Sequence, residues 1–299
     1  MEIITVPAGN LVFKVKKPNS WFGAEYNMNI YRGCSHGCIY CNSRSDCYRN
    51  SDFGTIKVKE KALEKIRDDL RRKVVRGVVA TGAMSDPYNP LERELKLTRN
   101  ALELINAFEF GLAIDTKSAL VTRDIDILSD IKEHSPVIVN MTITTADSAL
   151  SAIVEPGAPD SDERFAALEK LAGAGIFCGV LMMPILPFIN DTAENIWRIV
   201  RNAREAGAKF VYPSMGMTLR SGNREYYYEK LDEFFPGLKD KYIRQYGTRY
   251  QCSSPKAKGL WSAFKEECGR CGLLSDMQSI IQHYKSGYQS RQMDMFGLL

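Results

Sequence analysis

Gly33-Cys34-Ser35-His36-Gly37-Cys38-Ile39-Tyr40-Cys41 is the stretch that decides how this chain is read. Its C-x3-C-x2-C spacing delivers three thiolates from one short loop, and such thiolates hold iron–sulfur clusters. A fourth protein ligand would close a cubane cluster. Three leave one iron open to a small molecule and able to pass it an electron. Clustered cysteines also make tetrahedral zinc sites. Zinc stays open on counting alone, because His36 lies inside the loop and Cys47 stands beyond it. A disulfide framework does not fit eight cysteines spread over 299 residues, since disulfide-dense chains are small and secreted. His36 reads as a loop hydrogen-bonding residue rather than a ligand.

At 44% hydrophobic residues the chain can bury a full core, and its length suits one large domain or two smaller ones. A net charge of +4 permits a nucleic-acid partner without arguing for one. No basic N-terminal stretch runs into an apolar one, so no signal peptide is expected. No apolar run reaches about eighteen residues, so no membrane span is expected. The expected setting is cytoplasmic and reducing, which suits an oxygen-sensitive cluster.

Outward from the cysteine loop, strand-like and helix-like segments alternate. Residues 26–31 read as a strand entering the loop, and 57–75 as an amphipathic helix. Strand-like segments follow at 77–81, 111–116, 136–144, 176–184 and 209–212. Helical ones lie between them at 97–108, 123–132, 162–174 and 192–206. Six strand–helix units argue for a parallel sheet with right-handed crossovers. A partial (β/α)6 TIM-type barrel fits the count better than a flat doubly wound sheet. In either case the functional face lies at the C-terminal ends of the strands, where the cysteine loop falls. The alternation stops near Gly216. The expected division is a barrel with its lead-in over residues 1–218 and a helical C-terminal extension over 219–299.

The strand ends carry the next candidates. Thr81-Gly82-Ala83-Met84-Ser85-Asp86-Pro87-Tyr88 follows the second strand, and its small residues let backbone approach a ligand closely; a plain turn before Pro87 is the alternative. Lys117, at the end of the third strand, is placed to pair with a carboxylate or to stand solvated in a loop. Thr142 and Thr144 share parity, so both can face inward. Arg164 holds a carboxylate or Glu155, or sits on a helix surface. Pro184 stiffens the apolar end of the fifth strand.

The run from Asn29 to Cys41 resembles the cluster loop of radical S-adenosylmethionine (SAM) enzymes, and more narrowly that of the spore photoproduct lyase family. Ser85-Asp86-Pro87-Tyr88, Glu92, Thr98-Arg99, Thr116-Lys117-Ser118, Glu155-Pro156 and Arg164 extend the resemblance over most of residues 26–260. It implies a six-unit partial barrel, a [4Fe-4S] cluster on Cys34, Cys38 and Cys41, and SAM chelating the open iron. It also implies an electron donor such as flavodoxin or ferredoxin. By similarity Ser85 and Lys117 are SAM contacts; Tyr40, Gly82, Ala83, Thr142, Arg164 and Pro184 are further candidates, Pro184 either against adenine or as simple core. The family's best-known members repair the methylene-bridged thymine dimer of ultraviolet-damaged DNA. Reductive cleavage of SAM there yields a 5′-deoxyadenosyl radical that takes hydrogen from C6 of the lesion. The bridge breaks, a hydrogen donor quenches the thymine radical, and SAM is regenerated. The function implied is a carbon–carbon lyase acting on damaged DNA. The alternatives are a radical SAM enzyme modifying RNA or a protein, and a zinc-stabilised nucleic-acid-binding protein.

One departure matters. Family lyases place a hydrogen-donating cysteine two residues before the serine matching Ser85, and here that position is Ala83. Replacement donors are Cys178, Cys47 and the phenols of Tyr40, Tyr88 and Tyr212. A thiol is the better donor because its S–H bond is weak, although a lone strand cysteine is usually a small core residue.

Residues 241–258 carry Lys241, Arg244, Arg249, Lys256 and Lys258 with no acidic residue, and Tyr242, Tyr246 and Tyr250 are interleaved. Basic groups bind phosphates, and aromatics stack on bases. The expected nucleic-acid contacts are Arg244, Arg249, Tyr250, Lys256 and Lys258; Arg249-Tyr250 resembles the family's lesion-binding pair. Cys252, Cys268 and Cys271 form a second metal site or are structural. Gln292-Met293-Asp294-Met295-Phe296 resembles the short motif by which bacterial repair proteins dock on the sliding clamp, or packs on its own domain. A monomer is expected.

Overall fold

The computed structural model describes residues 3–17, 20–49 and 52–296, with side chains to Tyr288. Six strands form its centre: β1 (Tyr26–Met28), β2 (Val78–Thr81), β3 (Gly111–Thr116), β4 (Val137–Thr142), β5 (Phe177–Met182) and β6 (Phe210–Pro213). They pair in chain order, all parallel, and Val12–Lys14 adds an antiparallel edge beside β1. Helices α1 (Ala62–Arg71), α2 (Leu97–Ala107), α3 (Ile125–Lys132), α4 (Ser161–Gly173) and α5 (Ala193–Glu205) occupy the crossovers. β4 reads VIVNMT and is buried along its whole length, as expected of a strand covered on both faces. α4 begins on a capping box, with the Asp160 carboxylate accepting from Glu163 N at 2.8 Å and Glu163 accepting from Asp160 N at 3.1 Å.

Strand parity separates two environments. Val139, Cys178, Val180 and Val211 belong to the main core with the helices. Val78, Ala113, Ile138, Leu181 and Phe210 share a second core with Phe22, Ile280 and Tyr284. β2 and β6 are separated by three strands, yet both reach this second core. The sheet is therefore curved around an interior, as a partial barrel requires.

Two expectations change near the loop. The 26–31 strand divides: Tyr26–Met28 joins the barrel, while Tyr31–Arg32 pairs with Lys57–Lys59 in a small separate sheet. The helix expected over 57–75 is a strand at Lys57–Lys59 followed by α1. Only Val58 of that strand is buried, which is strand alternation rather than a helical face.

Beyond β6, Gly216–Thr218 pairs antiparallel with Gln251–Ser253. Helices α6 (Asn223–Phe234), α7 (Leu238–Tyr246), α8 (Ala257–Cys271) and α9 (Met277–Phe296) complete the chain. Leu260, Phe264 and Cys268 of α8 enter the main core. α9 stops the interior at the end away from the cysteine loop, through Ile280 and Tyr284. The Tyr284 phenol donates to the Phe22 carbonyl, and Lys285 pairs with Glu25 at 2.8 Å. Among the described residues no helix is long and apolar enough to cross a membrane.

Candidate active site

The cysteine loop leaves β1 and is pinned by its backbone at three points. Cys34 N donates to Phe53 O at 2.9 Å, Ile39 N to Val154 O at 3.0 Å, and Gly157 N to His36 O at 2.8 Å. Gly33, at φ +86°, would place any Cβ 2.1 Å from Thr55 O, so no larger residue fits. Cys34, Cys38 and Cys41 line one cavity of about 120 Å³ with Ser85, Asp86, Lys117 and Thr142. Among the described residues no three Cys, His, Asp or Glu side chains gather about a single-ion point. The three thiols line one shared cavity. Burial pushes the Cys34 thiol up to about 11 and Cys38 to about 12, so thiolates there need cationic partners. Iron supplies that charge, and the Lys117 ammonium already opposes the rise at Cys38. The donor set therefore fits a [4Fe-4S] cluster.

Asp86 ties this cavity to β3. Its carboxylate accepts from Thr116 Oγ1 at 2.7 Å, Lys117 N at 2.8 Å and Tyr88 N at 2.9 Å. His36 Nδ1 lies 3.5 Å from Asp86 Oδ2, and burial lowers the imidazole pKa. The His36 side chain faces Asp86 on the wall of the cysteine cavity. Burial works against the Lys117 ammonium, but Cys38 and Glu155 outweigh it and raise its pKa. Lys117 keeps a positive charge 5.7 Å from the Tyr40 ring centre.

Behind the loop, the Tyr40 phenol donates to Glu155 Oε1, and Arg164 pairs with Glu155 Oε2 at 2.5 Å. Arg164 also donates to Thr142 O at 3.0 Å and Pro159 O at 2.8 Å. Burial would raise the Glu155 pKa; Arg164 and Lys117 overcome it and hold the carboxyl below its ordinary value. Arg164 has no exposed surface and lines neither cavity. The expected contact of Arg164 with SAM is therefore replaced by a role in fixing Glu155, because every face of its guanidinium is already occupied.

A second cavity of about 660 Å³ continues from the first, sharing Cys41, Gly82, Ala83, Asp115, Lys117 and Thr142. Tyr40 and Pro184 line this larger cavity, and Ser85 lines the smaller one. Of the residues expected to contact SAM, the structure brings together Tyr40, Gly82, Ala83, Ser85, Lys117, Thr142 and Pro184. Gly82, at φ +104°, would put a Cβ 1.9 Å from Asp115 O. That close backbone contact is why glycine stands there. The rest of the larger cavity's wall includes Trp21, Met183, Met217, Gln251, Ser253 and Trp261.

No motif marks Asp115 in the sequence. It accepts from Trp21 Nε1 at 2.9 Å and Asn140 Nδ2 at 2.7 Å. Burial raises its pKa to about 6 against these two donors. Its position two residues before Lys117 on β3 is the signal that strand parity offered. Trp21, Gln251, Ser253 and Trp261 come from distant segments, and no local pattern marks them.

Several expected donors lie elsewhere. Cys178 faces α4, with its thiol 3.8 Å from Leu168 O, and burial pushes it up to about 12. It shares parity with Val180 and lines neither cavity. Tyr88 is buried in the main core under Arg123. Tyr212 packs edge-on with Trp21 at 6.0 Å, outside the lining residues. Cys47 is exposed, 3.3 Å from Arg220 Nη1. Only Tyr40 of the proposed donors reaches the cavity, and its hydroxyl is already given to Glu155. Glu92 accepts from the Tyr31 phenol and pairs with Arg123, while Arg99 pairs with Asp126. These family-like residues support the fold behind the site.

In the C-terminal region, Tyr242 and Tyr246 are core residues whose hydroxyls donate to Pro187 O at 2.8 Å and Ser253 O at 2.6 Å. They are thereby withdrawn from the interleaved aromatic surface. Tyr250 is exposed beneath the Arg220 guanidinium, 4.7 Å from its ring centre. Arg244, Arg249, Lys256 and Lys258 are also exposed, outside the cavity wall but in the segments flanking Gln251, Ser253 and Trp261. Lys256 approaches Asp191 at 3.6 Å. Cys252 lies in one core and Cys268 in another, so the second cysteine group is not assembled as a metal site. The side chains of Gln292 to Phe296 lie outside the described residues.

A model of the radical SAM superfamily matches residues 28–201. An uncharacterized protein of Mycobacterium tuberculosis is 32% identical over 229 residues, covering 74% of this chain and 67% of the relative. An uncharacterized protein of Methanocaldococcus jannaschii is 34% identical over 193 residues, covering 64% and 70% respectively. Among solved structures, spore photoproduct lyase complexed with dinucleoside spore photoproduct superposes with a TM-score of 0.65 at 16% identity, over 87% of this chain and 79% of that one. A radical SAM methyltransferase from Kitasatospora setae, with tryptophan substrate and a SAM analogue bound, gives 0.56 at 11% identity, over 89% and 62%. At these identities the structural matches speak for the fold.

Proposed function

Because the chain belongs to the radical SAM superfamily, we propose that it is a lyase reversing a thymine photoproduct in damaged DNA. The observation carrying this reading is the match to the fold of spore photoproduct lyase over 87% of the chain. The continuous cavity from the cysteine loop to Trp261 supports it. The superfamily's cofactors are a [4Fe-4S] cluster and SAM. When bound, they supply one-electron reduction of a sulfonium and, from it, a radical that abstracts hydrogen.

The chain's own residues do the rest. Cys34, Cys38 and Cys41 hold the cluster. Lys117 meets the SAM carboxylate with a charge that its neighbours keep in place. Glu155 and Arg164 fix Tyr40, and with it the pitch of the loop. Asp86 couples the loop to the ends of β2 and β3. The exposed basic residues from Arg244 to Lys258 offer phosphate contacts in the segments that flank Gln251, Ser253 and Trp261 in the chain.

A second reading, a radical SAM enzyme modifying RNA or a protein, is favoured by one observation. All eight cysteines are described, and apart from Cys34, Cys38 and Cys41 none lines either cavity. A repair lyase without a cavity thiol must quench its product radical by another route. The two readings separate on incubating anaerobic, reduced enzyme and SAM with DNA carrying the lesion. Thymine released above a Cys34→Ala control supports the lyase; none removes it.

A further inference from the structure

Two tryptophans from distant parts of the chain wall the larger cavity. Trp21 precedes β1 and Trp261 lies on α8, with 36% and 40% of their surfaces exposed. A single half-exposed tryptophan needs no explanation. Two that line one concave space with a few polar groups are the usual makings of a ligand site.

Both rings are held in place. The Trp21 indole N–H donates to Asp115 Oδ2 at 2.9 Å, and the ring packs edge-on against Phe22 at 5.1 Å. Trp261 packs edge-on against Phe264 at 5.7 Å. Rigid aromatic walls of this kind bind flat partners with little entropy loss.

Asp115 gives the slot a polar end. One oxygen accepts from Trp21 and the other from Asn140. A carboxylate oxygen has two lone pairs, so each keeps a free acceptor site. A ligand group that meets Asp115 therefore has to bring a donor. Lys117 is the sole basic residue lining this cavity, two residues along the chain from Asp115, its sole acidic one. One cation beside one carboxylate leaves the wall with no surplus charge, which suits an uncharged ligand.

We propose that Trp21 and Trp261 form a stacking slot for an uncharged planar ring whose edge N–H is accepted by Asp115, the ligand class being an imide-bearing nucleobase such as thymine. The choice of ring rests on the lyase reading above; the slot geometry does not.

Equilibrium dialysis of the holoenzyme against radiolabelled thymidine dinucleotide tests the slot. Trp261→Ala should weaken binding by about 5- to 100-fold, as loss of one base–aromatic stack does. Its SAM affinity should stay within about twofold of wild type, which a general structural defect would not allow. Methylating N3 of both thymines removes the donor and should weaken binding to wild type at least about fivefold. Wild-type enzyme that does not bind the dinucleotide, equal binding by Trp261→Ala, or indifference to N3 methylation overturns the slot. Repair of lesion DNA with Trp261→Ala as efficient as wild type sinks the slot and leaves the lyase standing. Binding through the slot without thymine release sinks the lyase and leaves the slot.

Discussion

Arg164 and Glu155 pair at 2.5 Å with neither side chain exposed to solvent. The Tyr40 phenol from the cysteine loop rests on the same carboxylate. A buried charge left unpaired costs far more than the pair itself contributes. Arg164→Met should therefore lower stability by about 3–5 kcal/mol, read as an earlier urea midpoint of the cluster-free protein. Adding Glu155→Gln should recover part of that loss. An unchanged midpoint in the single variant would show that Glu155 is not held as a charge.

Lys117 stands where the two cavities meet, and its charge is favoured by Cys38 and Glu155. Lys117→Met should weaken SAM binding by roughly 10- to 100-fold, the worth of a hydrogen bond to a charged group. Iron content should stay at the wild-type level, because the three cysteines are untouched. Equal loss of iron and SAM would instead make Lys117 part of the cluster's support.

Cys178 packs toward α4 with its thiol near Leu168 O. Cys178→Ala should leave the product distribution unchanged and cost about 1 kcal/mol of stability, in the ordinary range for a small core substitution. A shift toward unquenched products, measured by mass spectrometry, would return this residue to the reaction.

Asp115 has its pKa raised from 3.8 to about 6, chiefly by burial. The folded chain thus binds this proton more tightly than the unfolded chain. As pH rises from about 4 through about 6, the unfolded state loses the proton first and native stability falls. Asp115→Asn removes the titration. The variant's stability relative to wild type should climb over that window and level off above about pH 7. A flat difference across the window would place the Asp115 pKa near its ordinary value.

The pattern of period-2 and period-3.6 segments was enough to find six parallel strands and the helices between them. Their order places the cysteine loop at the strand ends without further information. Parity could also have sorted Cys178 from Leu181, since residues an odd number apart on a strand face opposite sides. What the chain hides locally is assembly. Trp21, Gln251 and Trp261 meet only because the segments before β1 and after β6 close on one cavity. The short strand at Lys57–Lys59 is masked in the sequence because the charged residues of α1 continue its polarity into a helical pattern. Tyr242 and Tyr246 looked like a stacking surface because interleaved tyrosines read alike whether they cover a ligand or a core.

The most direct measurement is the fate of a label. Reduced enzyme and SAM would be incubated with a dinucleotide photoproduct deuterated at C6, and the 5′-deoxyadenosyl group analysed by mass spectrometry. Hydrogen abstraction from the lesion predicts deuterium in that group, with thymine formed in parallel. SAM cleavage that leaves the group unlabelled and the photoproduct intact would contradict a thymine-lesion lyase.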